Sequence, residues 1–307
     1  MTDPFGHPVP FVNTTALEHW EGEAVKDWEQ AWKVPVLEAF RSLPSTNDRL
    51  KELAATGAAA WTVVLSEAQT RGRGRGGKSW DSAPGMGLWV SLLLPSSGTG
   101  ADALLPIRVG LALVRVLDRL EPGVAGAGDA AGAARAAGAA GDPGAAGNPG
   151  ALGAAEASGP ILLKWPNDLL LSRRKVGGIL CESLGSVGVV VGLGLNVRQR
   201  PQDFPPSLRA LAISLEEGWG LRIDRGTLTG DIVGELRRMP GGTMDRLRPV
   251  ELEAFAARDA LLGKPIWSEL EGVGVGAGIT ARGFLVLERD GGGRCEIRGG
   301  SVRRLAD

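Results

Sequence analysis

EAQTRGRGRGGKSW, residues 67–80, alternates three arginines with glycines and then runs through Gly-Gly-Lys-Ser to a tryptophan. From Gly72 it also fits G-x-x-x-x-G-K-[ST], the phosphate-loop pattern. That pattern cradles phosphate only where a buried strand runs directly into the loop and the loop directly into a helix N-terminus. Here WTVVL ends at Leu65, well before Gly72, and Pro84, Gly85 and Gly87 stand where the helix would begin. The match is accidental. An Arg-Gly run for RNA would be longer, repeated and set in a disordered tail, whereas this one occurs once, between two strand patterns. The remaining reading, against a plain solvated basic hairpin, is a mobile loop whose planar cations suit carboxylate and phosphate. Such a loop folds over an anionic ligand and excludes water as it closes.

Working outward, AAAWTVVLSE and GLWVSLLLP on either side read as strands. Ser45-Thr46-Asn47-Asp48 is a helix-capping signal, and Leu50, Leu53 and Ala54 continue it at helical spacing to Gly57. Residues 106–120 predict a long helix with an apolar face. Composition then shifts: residues 121–160 hold 27 Gly or Ala and four prolines, which cannot build a core, so a disordered insertion is expected. ILLKWPNDLLL reads as buried strand around a Trp-Pro-Asn-Asp corner, SRRK as a tight turn, and VGGILCESLG with VGVVVGLGLNV as a strand pair. Three helical patterns follow in 205–262. From Gly263, short strands joined by glycines predict a small all-β barrel. The first 33 residues, with Trp20, Trp28 and Trp32, read as an extension packed on the main body, with a short helix in EHWEGEAVKDWEQAWK.

The 307 residues carry 34 Lys+Arg against 35 Asp+Glu, which argues against a nucleic-acid-binding protein. Two cysteines, Cys181 and Cys295, and two histidines argue against a Cys/His zinc site. No secretory signal and no membrane-spanning run is read, so a cytoplasmic protein is expected.

Five motifs in order, STN at 45–47, QTRGRGRGGKSW at 69–80, KWPND at 164–168, RKVGGI at 174–179 and GLGLNV at 192–197, resemble the biotin–protein ligases. GITARGFLVLE at 278–288 resembles that family's small C-terminal domain. The resemblance implies an α+β fold: a mixed, mostly antiparallel sheet with flanking helices, like class II aminoacyl-tRNA synthetases, over 34–262, and an SH3-like barrel over 263–307. It implies activation of biotin by ATP to biotinyl-5′-AMP with Mg²⁺, then transfer to a lysine of the biotin carboxyl carrier protein. Lipoate or octanoate ligases and transferases share that fold and are the alternative.

By the same resemblance, Arg73 and Lys175 are catalytic. Ser45, Thr46, Asn47 and Gln69 line the biotin pocket, where hydroxyls and amides suit a neutral ureido ring. Gly74, Arg75, Lys164 and Gly178 border the adenylate. Trp80 stacks on adenine, Asn196 reads its edge, and Asp168 lies near the metal. Where the family carries an acid after Gly-Gly, this chain has Ser301. The 44 residues before Ser45 are acidic and lack a helix-turn-helix pattern, so no DNA binding is expected; a homodimer is common among such ligases, and the sequence leaves the oligomeric state open. Deleting residues 125–157 is expected to leave carrier biotinylation within about twofold of the parent, and a large loss in that assay would give the insertion a structural or recognition role.

Overall fold

The computed structural model of the protein describes residues 15–96, 104–121, 159–239 and 245–305. The core of the expected disordered insertion, 122–158, lies outside the described residues. The short helix expected in the tryptophan-bearing N-terminal segment is present, in its second half. β1 (His19–Trp20) and β2 (Glu23–Ala24) make a hairpin, and only α1 (Val25–Ala31) is helical. The reason is local: Glu21 and Gly22 both take positive φ, 51° and 86°, so the chain turns where a helix would have to continue. Trp20, Trp28 and Trp32 then form a cluster with ring centroids 5.6–6.4 Å apart.

The body is a seven-stranded sheet. β3 (Leu37–Phe40) leads through α2 (Thr46–Ala55) to β4 (Val63–Ser66), β5 (Gly87–Leu94) and α3 (Leu105–Asp118). After the insertion come β6 (Leu162–Lys164), β7 (Asp168–Leu171), β8 (Arg174–Ser183) and β9 (Val189–Asn196), then α4 (Leu215–Trp219), α5 (Arg225–Arg237) and α6 (Pro249–Ala256). The strand order is β3-β4-β5-β9-β8-β7-β6. Only β3 and β4 run parallel; every other pair is antiparallel. The sheet is therefore mixed and mostly antiparallel.

Both faces of the sheet are covered. On one, α2 lays Leu50 and Ala54 on Val64, Leu93 and Val190. On the other, α3 and its neighbours pack a larger core that includes Val63, Leu65, Val90 and Leu92. Alternation along the strands sorts these two sets. SRRK is the tight turn expected, with Ser172 and Arg173 both at positive φ, 48° and 66°, the geometry a two-residue hairpin requires.

The N-terminal hairpin and α1 dock on α5. Gly226 and Gly230 lack the Cβ atoms that would stand 2.4 and 2.8 Å from the Trp28 and Trp32 rings. Beside them Arg225, almost fully buried, pairs with Glu21 at 2.5 Å and Glu67 at 2.8 Å and donates to the Gly87 carbonyl at 2.8 Å.

The C-terminal residues form a second antiparallel sheet, β10 (Pro265–Ser268), β11 (Gly272–Ile279), β12 (Leu285–Glu288), β13 (Arg294–Ile297) and β14 (Val302–Arg304), in the order β13-β12-β11-β10-β14. β13 and β14 lie at opposite ends of this order, and no pairing between them closes the expected barrel among the described residues. Trp165 donates its indole N–H to the Gly283 carbonyl at 2.8 Å, which ties the second sheet to the KWPND corner. No helix among the described residues is long and apolar enough to cross a membrane.

At the exit of α6 the backbone pairs with β6: Leu163 donates to the Arg258 carbonyl at 2.7 Å and accepts from Ala260 at 2.9 Å. Asp259 sits between them. One of its oxygens accepts the Leu261 amide at 2.8 Å, while the other is buried without a partner. Burial pushes this carboxyl up to about 6, against smaller opposing hydrogen bonds from the Leu261 and Leu262 amides. A carboxyl raised in the folded state binds a proton more tightly than in the unfolded chain. Its stabilising effect is therefore greatest below about pH 4 and is lost as pH rises through 6. Asp259→Asn is expected to flatten that slope and to add about 1–2 kcal/mol at pH 7.5; urea unfolding of parent and variant at pH 4.5 and 7.5 checks it.

Candidate active site

The cleft lies on the α2 face of the sheet, a cavity of about 560 Å³ between the start of α2, the arginine-glycine loop, β8 and β9. Its floor is sheet backbone because three glycines leave it bare. A Cβ at Gly192 would stand 2.2 Å from Asn47 Oδ1, one at Gly194 2.6 Å from the Trp80 ring, and one at Gly178 2.9 Å from the same ring. Real Cβ atoms do not come so close, so these positions fix how near α2 and Trp80 approach the sheet.

The loop is folded as a small hairpin. Gly74 donates to the Lys78 carbonyl at 2.7 Å and Trp80 to Gly72 at 2.9 Å, and residues 75–77 form a short 3-10 turn. Gly72 is obligatory there, since a Cβ would meet the Trp80 carbonyl at 2.6 Å. Trp80 lies against Gly178 and Gly194, edge-on to Trp89 with centroids 6.3 Å apart. Its face receives the Lys175 ammonium at 4.9 Å, a cation–π contact.

One end of the cleft is neutral and hydrogen-bonding. Ser45, Thr46 and Asn47 are buried at the start of α2. Ser45 makes no side-chain cap. The orphan amide of Thr46 instead donates to Gln69 Oε1 at 2.9 Å, while Gln69 Nε2 donates to Ser82 at 3.0 Å. The loop thus caps the helix that faces it. Beneath them lies Ser91 of β5, fully buried, 2.6 Å from Asn47 Oδ1 and 2.8 Å from Thr46 Oγ1.

The other end is cationic. Lys175 pairs with Asp168 at 2.7 Å, and Lys164 lies 3.8 Å from the other carboxylate oxygen. Burial pushes the Lys164 ammonium down, and the charges of Lys175 and Lys78 push the same way, opposed by Asp168. Arg75 and Lys78 line the same end. Arg73 also lines the cleft, but its guanidinium pairs with Asp48 at 2.5 Å and approaches Glu182 at 3.4 Å.

Of the residues expected from sequence, Ser45, Thr46, Asn47, Gln69, Arg73, Gly74, Arg75, Trp80, Lys164, Asp168, Lys175 and Gly178 all line this one cavity. Asn196 does not. Its amide donates to the carbonyls of Lys175 and Ile213, at 3.3 and 3.1 Å, and its oxygen accepts from Gln199. It fixes the backbone that carries Lys175 rather than facing the cavity. Asp168 has no metal partners around it: among the described residues no group of three or more His, Cys, Asp or Glu could hold an ion, and both its oxygens face ammoniums. The residues present do not fit a protein-built magnesium site.

Sequence reading missed Ser91 and Glu182, which hydrogen-bond the start of α2 and carry no motif. It also left the small sheet out, yet Glu269 and Ser301 reach the rim, joined by two hydrogen bonds of 3.0 Å that their backbone amides donate.

One cavity thus joins a glycine floor on a mixed sheet, a neutral hydrogen-bonding end and a cationic end. A family model described as the biotin/lipoate A/B protein ligase family matches residues 39–196. The chain is 32% identical over 268 residues, 85% of each chain, to the biotin–[acetyl-CoA-carboxylase] ligase of Mycobacterium tuberculosis. It is 32% identical over 189 residues to the bifunctional ligase/repressor BirA of Bacillus subtilis, matching 47% of that protein's length. The biotin protein ligase from Aquifex aeolicus, solved in complex with biotin and ATP, superposes with a TM-score of 0.66 over 88% of this chain and all of that one, at 24% identity, a likeness of fold. The chain belongs to the biotin/lipoate A/B protein ligase family.

Proposed function

We propose that the chain activates biotin with ATP to biotinyl-5′-AMP and transfers the biotin to a lysine of a biotin carboxyl carrier protein. One observation carries the reading: the same cavity offers uncharged hydrogen-bonding groups at Thr46, Asn47 and Gln69 and a cluster of cations at Lys164, Lys175, Arg75 and Lys78. A neutral cyclic urea fits the first end and a carboxylate meeting a triphosphate fits the second. The relatives named as biotin ligases support it.

In the first step a biotin carboxylate oxygen bonds to the α-phosphorus of ATP, and the bond to the β-phosphate oxygen breaks, releasing pyrophosphate. Two anions must come together, so fixed cations around that point lower the barrier. Lys175 is held for this by Asp168 on one side and the Trp80 face on the other. In the second step the carrier amine attacks the acyl carbon, AMP leaves with the bonding pair, and the amine loses a proton. The hairpin of residues 72–80 screens the anhydride from water meanwhile. Magnesium is proposed to enter on the ATP phosphates and not on Asp168. The body is proposed to be of the class II aminoacyl-tRNA synthetase type, with the second sheet as an SH3-like unit whose Glu269 and Ser301 border the cleft.

The test is the purified protein with ATP, Mg²⁺, a carrier domain and biotin, lipoate or octanoate in turn. A carrier mass gain of one biotin, with biotin-dependent pyrophosphate release, supports the proposal; turnover with lipoate or octanoate alone overturns it. Lys175→Ala is expected to lower kcat about 100-fold or more with an unchanged melting temperature, as read by pyrophosphate release.

A further inference from the structure

Glu182 lies on β8 beside the cleft, in the lining of an adjoining cavity that shares Arg73, Gly74 and Arg75 with it. It is a half-buried carboxylate whose Oε1 takes the Lys51 ammonium at 2.5 Å and whose Oε2 takes the Asn47 amide nitrogen at 2.7 Å. Burial alone would push this carboxyl up; hydrogen bonds from Lys51 and Asn47, with the charges of Lys51 and Arg73, outweigh it and hold it below the usual range.

A carboxylate only accepts, so the NH₂ group of Asn47 must face Glu182 and its oxygen must face Ser91. Asn47 Oδ1 is 2.6 Å from Ser91 Oγ, and the single hydroxyl hydrogen of Ser91 must lie between them. Ser91 then has no hydrogen left for Thr46, 2.8 Å away. That contact is made by the Thr46 hydroxyl donating to Ser91. No exposed surface at Ser91 lets water relieve the constraint. The Gln69 oxygen accepts the Thr46 amide at 2.9 Å and also lies 3.2 Å from the Thr46 hydroxyl; the shorter 2.8 Å contact to Ser91, which would otherwise hold no hydrogen, takes the hydroxyl hydrogen. The Thr46 hydroxyl, its one hydrogen turned inward, shows lone pairs to the cavity.

We infer that Glu182 is a positioning residue that sets the donor–acceptor sense of the Glu182–Asn47–Ser91–Thr46 chain, so that Thr46 accepts a hydrogen bond from a ring N–H of the acid substrate. The inference rests on the proposed biotin reading and adds the group that enforces discrimination for N–H-bearing acids. A buried site built to accept a substrate N–H rejects an analogue without one strongly.

The chain makes a reversal experiment available. In Glu182→Gln, Lys51 can only donate and claims the amide oxygen; Arg73, 3.4 Å away and already paired with Asp48, imposes less. The new NH₂ group then faces Asn47, which flips its oxygen toward it and its NH₂ toward Ser91. Ser91 accepts and donates to Thr46, which occupies one Thr46 lone pair and turns the Thr46 hydrogen away from Ser91, toward the cavity side where the Gln69 oxygen lies 3.2 Å away. Adding Asn47→Asp restores the original sense, because a carboxylate there accepts both from the amide introduced by E182Q and from Ser91.

The expected results are a biotin KM raised about tenfold or more in E182Q, an ATP KM within about twofold of the parent, and recovery of most of the biotin KM in N47D/E182Q. By calorimetry the parent prefers biotin over an analogue with one ring N–H replaced by oxygen, and E182Q loses that preference. A parent-like biotin KM in E182Q overturns the inference, as does retained discrimination by E182Q. So does a double variant no better than E182Q when both melt like the parent. Failure of the biotin reading itself would be distinct: the parent would release no pyrophosphate in response to biotin.

Discussion

Three missing side chains decide the architecture of the site. At Gly178, Gly192 and Gly194 any Cβ would collide with Trp80 or Asn47, so α2 and the arginine loop lie directly on the backbone of β8 and β9. Everything else follows from that approach. The Thr46 amide comes within reach of Gln69, Trp80 lies flat enough on the floor to receive Lys175, and Ser91 is sealed beneath Asn47. Gly in a strand weakens it locally; here β9 is held on both sides, by β5 and by β8, from Val189 to Leu195.

The loop beside this site is anchored at its start as well as through Arg73. Glu67, the residue that opens it, is bound by the buried Arg225 together with Glu21 of the N-terminal hairpin. A buried ion pair adds little net stability, but losing one partner strands the others in a poorly solvating interior. The N-terminal tryptophans, α5 and the first residue of the loop therefore form one mechanical unit, seated in notches that Gly226 and Gly230 leave open.

Much of this was legible in the amino-acid sequence. The strands came from apolar runs, α2 from its helical spacing, and the cleft from motifs scattered over 45–47, 69–80, 164–168 and 174–178 that the sheet gathers into one cavity. What was not legible depends on partners distant in sequence. Ser45 reads as the cap of α2, but Gln69 does the capping across 23 residues. The short helix expected in the N-terminal stretch forms, but its start at Val25 was not legible, because it is set by the two left-handed residues Glu21 and Gly22 before it. Asn196 reads as a contact because it ends a motif; the register of β9 turns it onto the Lys175 backbone instead. Ser91 and Glu182 have no local signature, since only the pairing of β5, β9 and β8 brings them under α2.

The pairing of Arg73 with Asp48 and Glu182 also shapes how an anion would enter. A guanidinium already neutralised by carboxylates projects little field into solvent, so its engagement with an incoming phosphate is a partner exchange at short range. Long-range attraction falls to Arg75 and Lys78, both solvent-exposed at the mouth. On the proposed function, capture and grip would divide between neighbouring side chains of one loop, all of them solvent-exposed and so sensitive to ionic strength.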